Sequence, residues 1–292
     1  MAQPAIAVHG GAGGRPPDDD RPYREALEQA LEAGGQALRS GGCAVTAVQA
    51  ATELLEDCPL FNAGRGSVLH RDGAVEMDAG IMCGRERRAG AVAVVTRVRH
   101  PIALAVAVME RSDHVLVAGV GAERLAEEWD LRLEDPEWFV TERQRRRWEA
   151  TTGGTVGAVA LDSAGHVAAA TSTGGMRGRL PGRVGDSPLV GAGVYAEDGV
   201  CAVSATGDGE QLIRAVAAHE VAALIRHRGL PVDEAAAAVL DERVRPLGGQ
   251  GGLIALSGSG KLAMPFTTGL MYRGWLTGDG PACTRVGHEP EG

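Results

Sequence analysis

Thr155-Val156-Gly157-Ala158-Val159-Ala160-Leu161, the turn Asp162-Ser163-Ala164-Gly165 and the run His166-Val167-Ala168-Ala169-Ala170-Thr171-Ser172-Thr173 decide the fold. Two apolar runs joined by a short glycine-containing turn read as a buried β-hairpin. Both arms are apolar almost without interruption, so each strand needs cover on both faces and the sheet must lie between other layers. Working outward, residues 190–196 and 200–205 form a second hairpin around Glu197-Asp198-Gly199. Residues 253–256 and 261–266 form a third, with Ser257-Gly258-Ser259-Gly260 as its turn. Between them, 210–228 reads as one helix carrying Ile213, Val216, Ala217, Leu224 and Ile225 on one face. A second helix, 233–244, is N-capped by Asp233.

The N-terminal half opens on an apolar strand, 5–9, that runs into a Gly-rich turn. Helices at 18–40 and 44–56, a strand at 89–98, and helices at 101–110 and 121–128 follow. Helices in two blocks with hairpin-connected apolar strands give an α+β layered sandwich rather than a βαβ nucleotide fold. The clearest linker is 149–154, where a polar segment meets Thr151-Thr152-Gly153-Gly154.

Composition excludes several functions. With 44% apolar and 23% charged residues the chain is globular rather than disordered. A net charge of −9 gives no electrostatic footprint for nucleic acid. The densest basic segment, 143–147 near Trp138, Phe139 and Trp148, is interleaved with Asp135, Glu137, Glu142 and Glu149, which suits a solvated face. The longest uncharged apolar run, 101–109, is too short to span a bilayer. Met1-Ala2-Gln3-Pro4 lacks the basic start of a signal peptide, so the expected location is cytoplasmic. Cys43, Cys58, Cys83, Cys201 and Cys283 form no C-x-x-C and are expected to be buried reduced thiols. The histidines make no metal-ligand spacing, and no G-x-S-x-G elbow is present.

Few routes to chemistry remain, and Thr155 offers one. Two glycines precede it, and it opens a buried strand directly after a polar segment. Its hydroxyl can attack the carbonyl of Gly154, because glycine accepts the strained backbone that the attack needs. Hydrolysis of the resulting ester would free the α-amine of Thr155, which has a pKa well below that of lysine and can serve as base for its own hydroxyl.

Gly154-Thr155-Val156-Gly157-Ala158-Val159-Ala160-Leu161-Asp162 resembles the cleavage motif of the isoaspartyl peptidase/L-asparaginase family, the plant-type asparaginases, which are N-terminal-nucleophile hydrolases. The likeness spans nearly the whole chain. It takes in His9-Gly10-Gly11-Ala12-Gly13, Phe61-Asn62-Ala63-Gly64, Glu76-Met77-Asp78-Ala79 and Ala170-Thr171-Ser172-Thr173-Gly174-Gly175-Met176. It continues through Leu180-Pro181-Gly182-Arg183-Val184-Gly185-Asp186-Ser187-Pro188, Ala205-Thr206-Gly207-Asp208-Gly209-Glu210 and Met271-Tyr272-Arg273.

The resemblance implies a four-layer αββα sandwich, one domain over 1–292 that cleaves itself into 1–154 and 155–292, and no cofactor for catalysis. It implies Thr155 as nucleophile, tuned by Thr173, with the Thr206 hydroxyl and Gly207 N–H as oxyanion donors. Arg183 would take the substrate α-carboxylate with its planar fork, Asp186 the α-ammonium, and the Gly209 carbonyl the same ammonium. Asn62 joins this binding set from a loop whose carbonyls, at Leu55, Glu56, Cys58, Phe61, Ala63 and Arg65, would hold a structural Na⁺. The implied reaction is hydrolysis of β-aspartyl dipeptides and L-asparagine to aspartate by a dimer of processed units, with no nucleic-acid or membrane partner.

The chain departs from the family pattern in three places. Only six residues separate Trp148 from Thr155, Asp208 stands where Thr or Ser is common, and Gly269-Leu270 replaces Glu-Gly. Two other readings stay open: a glycosylasparaginase-like amidase, whose nucleophile usually follows Asp rather than Gly, and a catalytically silent relative that binds amino acids.

Overall fold

The computed structural model describes residues 2–14, 17–146 and 154–287. Apart from Gly154, the linker read at 149–154 lies outside them, as does Trp148.

The N-terminal half runs β1 (Ala5–Ala12), α1 (Arg21–Arg39), α2 (Ala44–Asp57), β2 (Met77–Cys83), β3 (Ala89–Val95), α3 (Pro101–Arg111), β4 (Leu116–Ala118), α4 (Gly119–Glu128), α5 (Pro136–Phe139) and α6 (Glu142–Arg146). The C-terminal half runs β5 (Val156–Leu161), β6 (Val167–Thr173), β7 (Val194–Glu197), β8 (Cys201–Gly207), α7 (Gly209–Ala215), α8 (Ala217–Arg228), α9 (Val232–Ala238), β9 (Gly251–Ser257), β10 (Leu262–Ala263), β11 (Met271–Thr277) and β12 (Cys283–Val286).

Eight strands form one sheet in the order β12-β11-β1-β5-β6-β2-β3-β4, and four form a second, β10-β9-β8-β7. Helices α1 to α4 pack on the outer face of the large sheet; α8 and α9 cover the small one; β1, β5 and β6 meet β8 and β9 between the sheets. The layers are therefore αββα, as expected.

The hairpin that opened the sequence reading is β5–β6, with Val156 opposite Ser172 and Leu161 opposite Val167. Its uninterrupted apolar character has a simple cause. Val156, Ala158 and Ala160 point into the core under the helices, while Val159 and Leu161 point into the core between the sheets. Successive strand residues face opposite sides, so a strand buried on both faces has no place for a polar alternation. Ala5, Ala7 and Ala169 keep the inter-sheet face small, letting the sheets approach closely.

Several expectations need correction. The helix read over 210–228 is two, broken at Val216, which adopts a left-handed conformation (φ 49°). The break is held from outside: Ala218 N–H and His219 N–H donate to the carbonyls of Ala192 and Gly191. Asp233 is not an N-cap; Pro231 holds that position, and Asp233 pairs with Lys261 at 2.7 Å instead. The segment read as helix to 244 leaves α-geometry after Ala238 and widens to a π-turn over Val239–Val244. The strand read over 89–98 ends at Val95, and the one read over 190–196 begins only at Val194. Among the cysteines only Cys201 is buried; Cys43 is exposed and the others lie between, although all five are free thiols.

Candidate active site

Antiparallel pairing puts the start of β5 beside the end of β6, so Thr155 and Thr173 are neighbours at one rim of the large sheet. The end of β8 brings Thr206 and Gly207 to the same rim from the small sheet. A cavity of about 350 Å³ opens there, and Gly154, Thr155, Thr173, Arg183, Asp186, Gly207 and Gly209 line it together. Ala12 and Thr268 line it too, so residues from near both ends of the chain converge on one concave site.

Around Thr155 the hydrogen bonds run in one direction. Thr155 Oγ1–H donates to Thr173 Oγ1 at 3.2 Å, and Thr173 Oγ1–H donates to the Gly154 carbonyl at 3.1 Å. Gly175 N–H donates to Thr173 Oγ1 at 2.9 Å, which fixes that hydroxyl. The Gly154 carbonyl has a second donor, Asn62 Nδ2. Asn62 is itself held on three sides: Nδ2 to the Gly175 carbonyl (2.7 Å), Oδ1 from Val68 N–H (2.8 Å), and its carbonyl from Gly174 N–H (3.1 Å). The peptide bond before Thr155 therefore has its oxygen held by two donors and a hydroxyl beside it.

Thr206 is fully buried behind the cavity wall, while Gly207 forms the wall itself. Ala12 N–H donates to Thr206 Oγ1 at 3.2 Å, so the hydroxyl proton stays free to donate elsewhere. Gly207 sits at φ 142°, and any Cβ there would collide with the Gln250 carbonyl and Gly251 Cα, so only glycine fits.

Arg183 and Asp186 meet at Gly209, where an added Cβ would lie 2.8 Å from both Arg183 Nη2 and Asp186 Oδ1. Asp186 is buried, and its Oδ2 has no hydrogen-bond partner. Burial pushes its carboxyl up to about 7, against a smaller opposing pull from Arg183. A carboxylate left unpartnered in a cavity calls for a cation.

Sequence reasoning missed Glu210. Its carboxylate grips Arg183 through Nε (2.8 Å) and Nη2 (2.7 Å), and the guanidinium holds its pKa below the usual glutamate range. A guanidinium has two forked edges, and this pair takes only one. Arg179 was missed as well: wholly buried, it donates to the Gly174 and Glu76 carbonyls and braces the loop that leads to Arg183. The signal was their place along the quoted motifs: Glu210 closes one beside Gly209, and Arg179 stands just before another, next to Leu180.

Two departures noted in the sequence also reach the site. Asp208 lines the cavity, with Oδ2 accepting Gln250 N–H at 2.8 Å. The Leu270 carbonyl accepts Gly13 N–H at 2.8 Å, so the altered Gly269-Leu270 turn pins the loop after β1.

A family model described as asparaginase matches residues 2–154 and 149–285. An isoaspartyl peptidase of Salmonella typhimurium is 45% identical over 96% of this chain and 98% of its own length. The isoaspartyl peptidase of Escherichia coli is 46% identical over 96% and 95%, respectively. A plant-type L-asparaginase of Pyrobaculum calidifontis is 43% identical over 92% and 96%.

Proposed function

The chain belongs to the isoaspartyl peptidase/L-asparaginase family, and from that premise we propose that it first severs the Gly154–Thr155 bond and then hydrolyses isoaspartyl dipeptides and L-asparagine to aspartate. The observation that carries this reading is the donor-to-acceptor run from Thr155 through Thr173 to the Gly154 carbonyl, opening on the cavity that holds Arg183 and Asp186.

In self-cleavage the Thr155 hydroxyl oxygen attacks the Gly154 carbonyl carbon. Its proton moves towards Thr173, while Thr173 and Asn62 stabilise the oxyanion with the hydrogen bonds they already make. The C–N bond breaks as that proton is passed from Thr173 to the departing Thr155 nitrogen, an ester joins Gly154 to Thr155 Oγ1, and water hydrolyses it to a free Gly154 carboxylate and a free Thr155 amine. That amine then serves as general base for the same hydroxyl during turnover.

Asp186 takes the substrate α-ammonium together with the Gly209 carbonyl, and the free edge of Arg183 takes the α-carboxylate. The side-chain carbonyl is thereby delivered to Thr155, with Gly207 N–H and the Thr206 hydroxyl facing the developing charge. Once the end of the cleaved Gly154 has moved away, Asn62 Nδ2 is released to join the binding surface. The leaving amine takes the proton, aspartyl remains as an ester on Thr155, and water releases aspartate.

The reading needs no cofactor for catalysis. A structural Na⁺ is part of it, held by the carbonyls of Leu55, Glu56, Cys58, Phe61, Ala63 and Arg65, since a hard cation suits neutral oxygen ligands. Glu56 Oε2 is buried without a hydrogen-bond partner, but burial pushes that carboxyl towards its neutral form, so the ion would be held by the carbonyls alone. A cytoplasmic dimer of processed units completes it. The free thiols are compatible with that compartment, and no helix of the described residues is long and apolar enough to cross a membrane.

Mass spectrometry after incubation should find fragments 1–154 and 155–292, the second beginning with threonine. Aspartate release from β-Asp-Leu, asparagine and a glycosylated asparagine then ranks substrates, with the first two ahead of the third. An unbroken chain that releases no aspartate would sink the proposal in favour of a silent binding protein.

Glu210→Gln should raise KM by about threefold to fivefold, because a half-exposed pair that orients Arg183 is worth roughly 1 kcal/mol or less. Steady-state kinetics with asparagine checks this; an unchanged KM would mean that Arg183 is oriented without Glu210.

A further inference from the structure

One buried polar group lies beneath each hydroxyl of the site. His9 Nε2 is 2.9 Å from Ser204 Oγ, Ser204 Oγ is 2.6 Å from Thr171 Oγ1, and Thr171 Oγ1–H donates to the Gly193 carbonyl at 2.9 Å. His9, Thr171 and Ser204 are all fully buried. His9 and Thr171 belong to the large sheet and Ser204 to the small one, so the chain of bonds crosses an interface where Ala7, Val159, Ala169 and Ala202 lie on the same strand faces.

Register places this layer relative to the chemistry. Thr173 is two residues beyond Thr171, and Thr206 is two beyond Ser204. Thr155 is two before Gly157, which pairs with both His9 and Thr171. A strand repeats every two residues, so each member of the lower layer shares a face with one hydroxyl of the site. Gly157 leaves the room: a Cβ there would collide with Ser204 Oγ and press on His9 Nε2.

We propose that His9, Ser204 and Thr171 are positioning residues, a bonded chain that fixes the separation of the two sheets and so the distance from Thr206 to Thr155 and Thr173. The inference rests on the hydrolytic reading above. Counting protons gives the chain its direction. Thr171 spends its one proton on Gly193, so Ser204 donates to Thr171 and accepts from His9 Nε2–H. Burial holds the His9 pKa down to about 3, which keeps the ring neutral and the direction unchanged at working pH. His9 Nδ1 alone in this network has no hydrogen-bond partner; the bonds that cross the interface are directional and so favour one geometry, whereas apolar contacts alone allow the sheets to slide.

The test uses full-length Ser204→Ala, Thr171→Val, His9→Leu and His9→Gln, with rates counted per cleaved chain. In the first three kcat for asparagine should fall about tenfold to a hundredfold while KM stays within about twofold, because oxyanion alignment acts mainly in the transition state. His9→Gln, whose Nε2 carries a donor to the same place, should recover most of kcat. If Ser204→Ala or His9→Leu folds too poorly to assay, the comparison of Thr171→Val with His9→Gln decides. Wild-type kcat in the folded variants overturns the proposal, as does a kcat that follows melting temperature irrespective of the donor at position 9. A wild-type protein that releases no aspartate instead brings down the hydrolytic reading itself, and this inference with it.

Discussion

Thr155→Ala is expected to run as one unbroken band and to release no aspartate, a fall in turnover on the order of 10⁴-fold or more. Both losses trace to one oxygen. The hydroxyl that attacks Gly154 in the intact chain attacks the substrate afterwards, and the amine that activates it exists only after the first event. No other described side chain at the cavity combines a nucleophile with a base, since the histidine nearest in register, His9, is buried with its Nε2 bonded to Ser204. The variant should still fold: the hydroxyl makes one hydrogen bond, to Thr173, whose loss costs about 1 kcal/mol. Electrophoresis under denaturing conditions and an aspartate assay on the same sample settle it. Cleavage between 154 and 155 in this variant, or aspartate release from it, would remove Thr155 from the mechanism.

What could be read from the sequence divides along physical lines. The β5–β6 hairpin was legible because burial on both faces writes itself as an apolar run broken by one turn. Thr155 was legible from its own surroundings, two glycines before a buried strand, whereas Thr173, Arg183, Asp186, Gly207 and Gly209 were legible only through motifs that resemble a known family; of the two glycines, Gly207 is sterically forced. The break at Val216 left no such mark. It depends on the carbonyls of Gly191 and Ala192, and a β-branched residue gives no local hint of a left-handed turn. Strand β2 was missed for a similar reason: Asp78 and Gly80 are poor strand formers, and the strand exists because β3 and β6 pair with it on either side. Glu210 stood in plain view within its motif, but nothing in the order of residues says that it folds back onto Arg183. Local pattern reports burial and backbone geometry; pairing between distant segments does not enter it.

Asp186→Asn is the variant in which binding and stability should move in opposite directions. The wild-type carboxyl is buried, has one oxygen unpartnered, and titrates near 7 rather than near 3.8 because burial disfavours its charge. In the folded chain the protonated form is thus preferred. Its pKa is raised above the unfolded value, so stability from this group is present below about pH 4 and is lost as pH rises to about 7, on the order of 2–4 kcal/mol in all. Asparagine copies the protonated form and does not ionise. The melting temperature of Asp186→Asn should therefore match wild type at pH 4, exceed it increasingly up to pH 7, and keep a constant lead above that.

Catalysis should behave in the reverse sense. The substrate ammonium needs the charged carboxylate, so wild-type kcat/KM should climb as pH rises through 7, with Thr155 amine deprotonation steepening the same limb. Asp186→Asn should lose about 10²–10³-fold in kcat/KM, mainly through KM, because a buried charge pair is replaced by a neutral contact worth several kcal/mol less. Its acid limb should become shallower, since one of the two ionisations has gone. A melting difference that does not change between pH 4 and 7 would show that Asp186 is already charged in the empty site. A wild-type KM in the variant would show that the ammonium is held elsewhere.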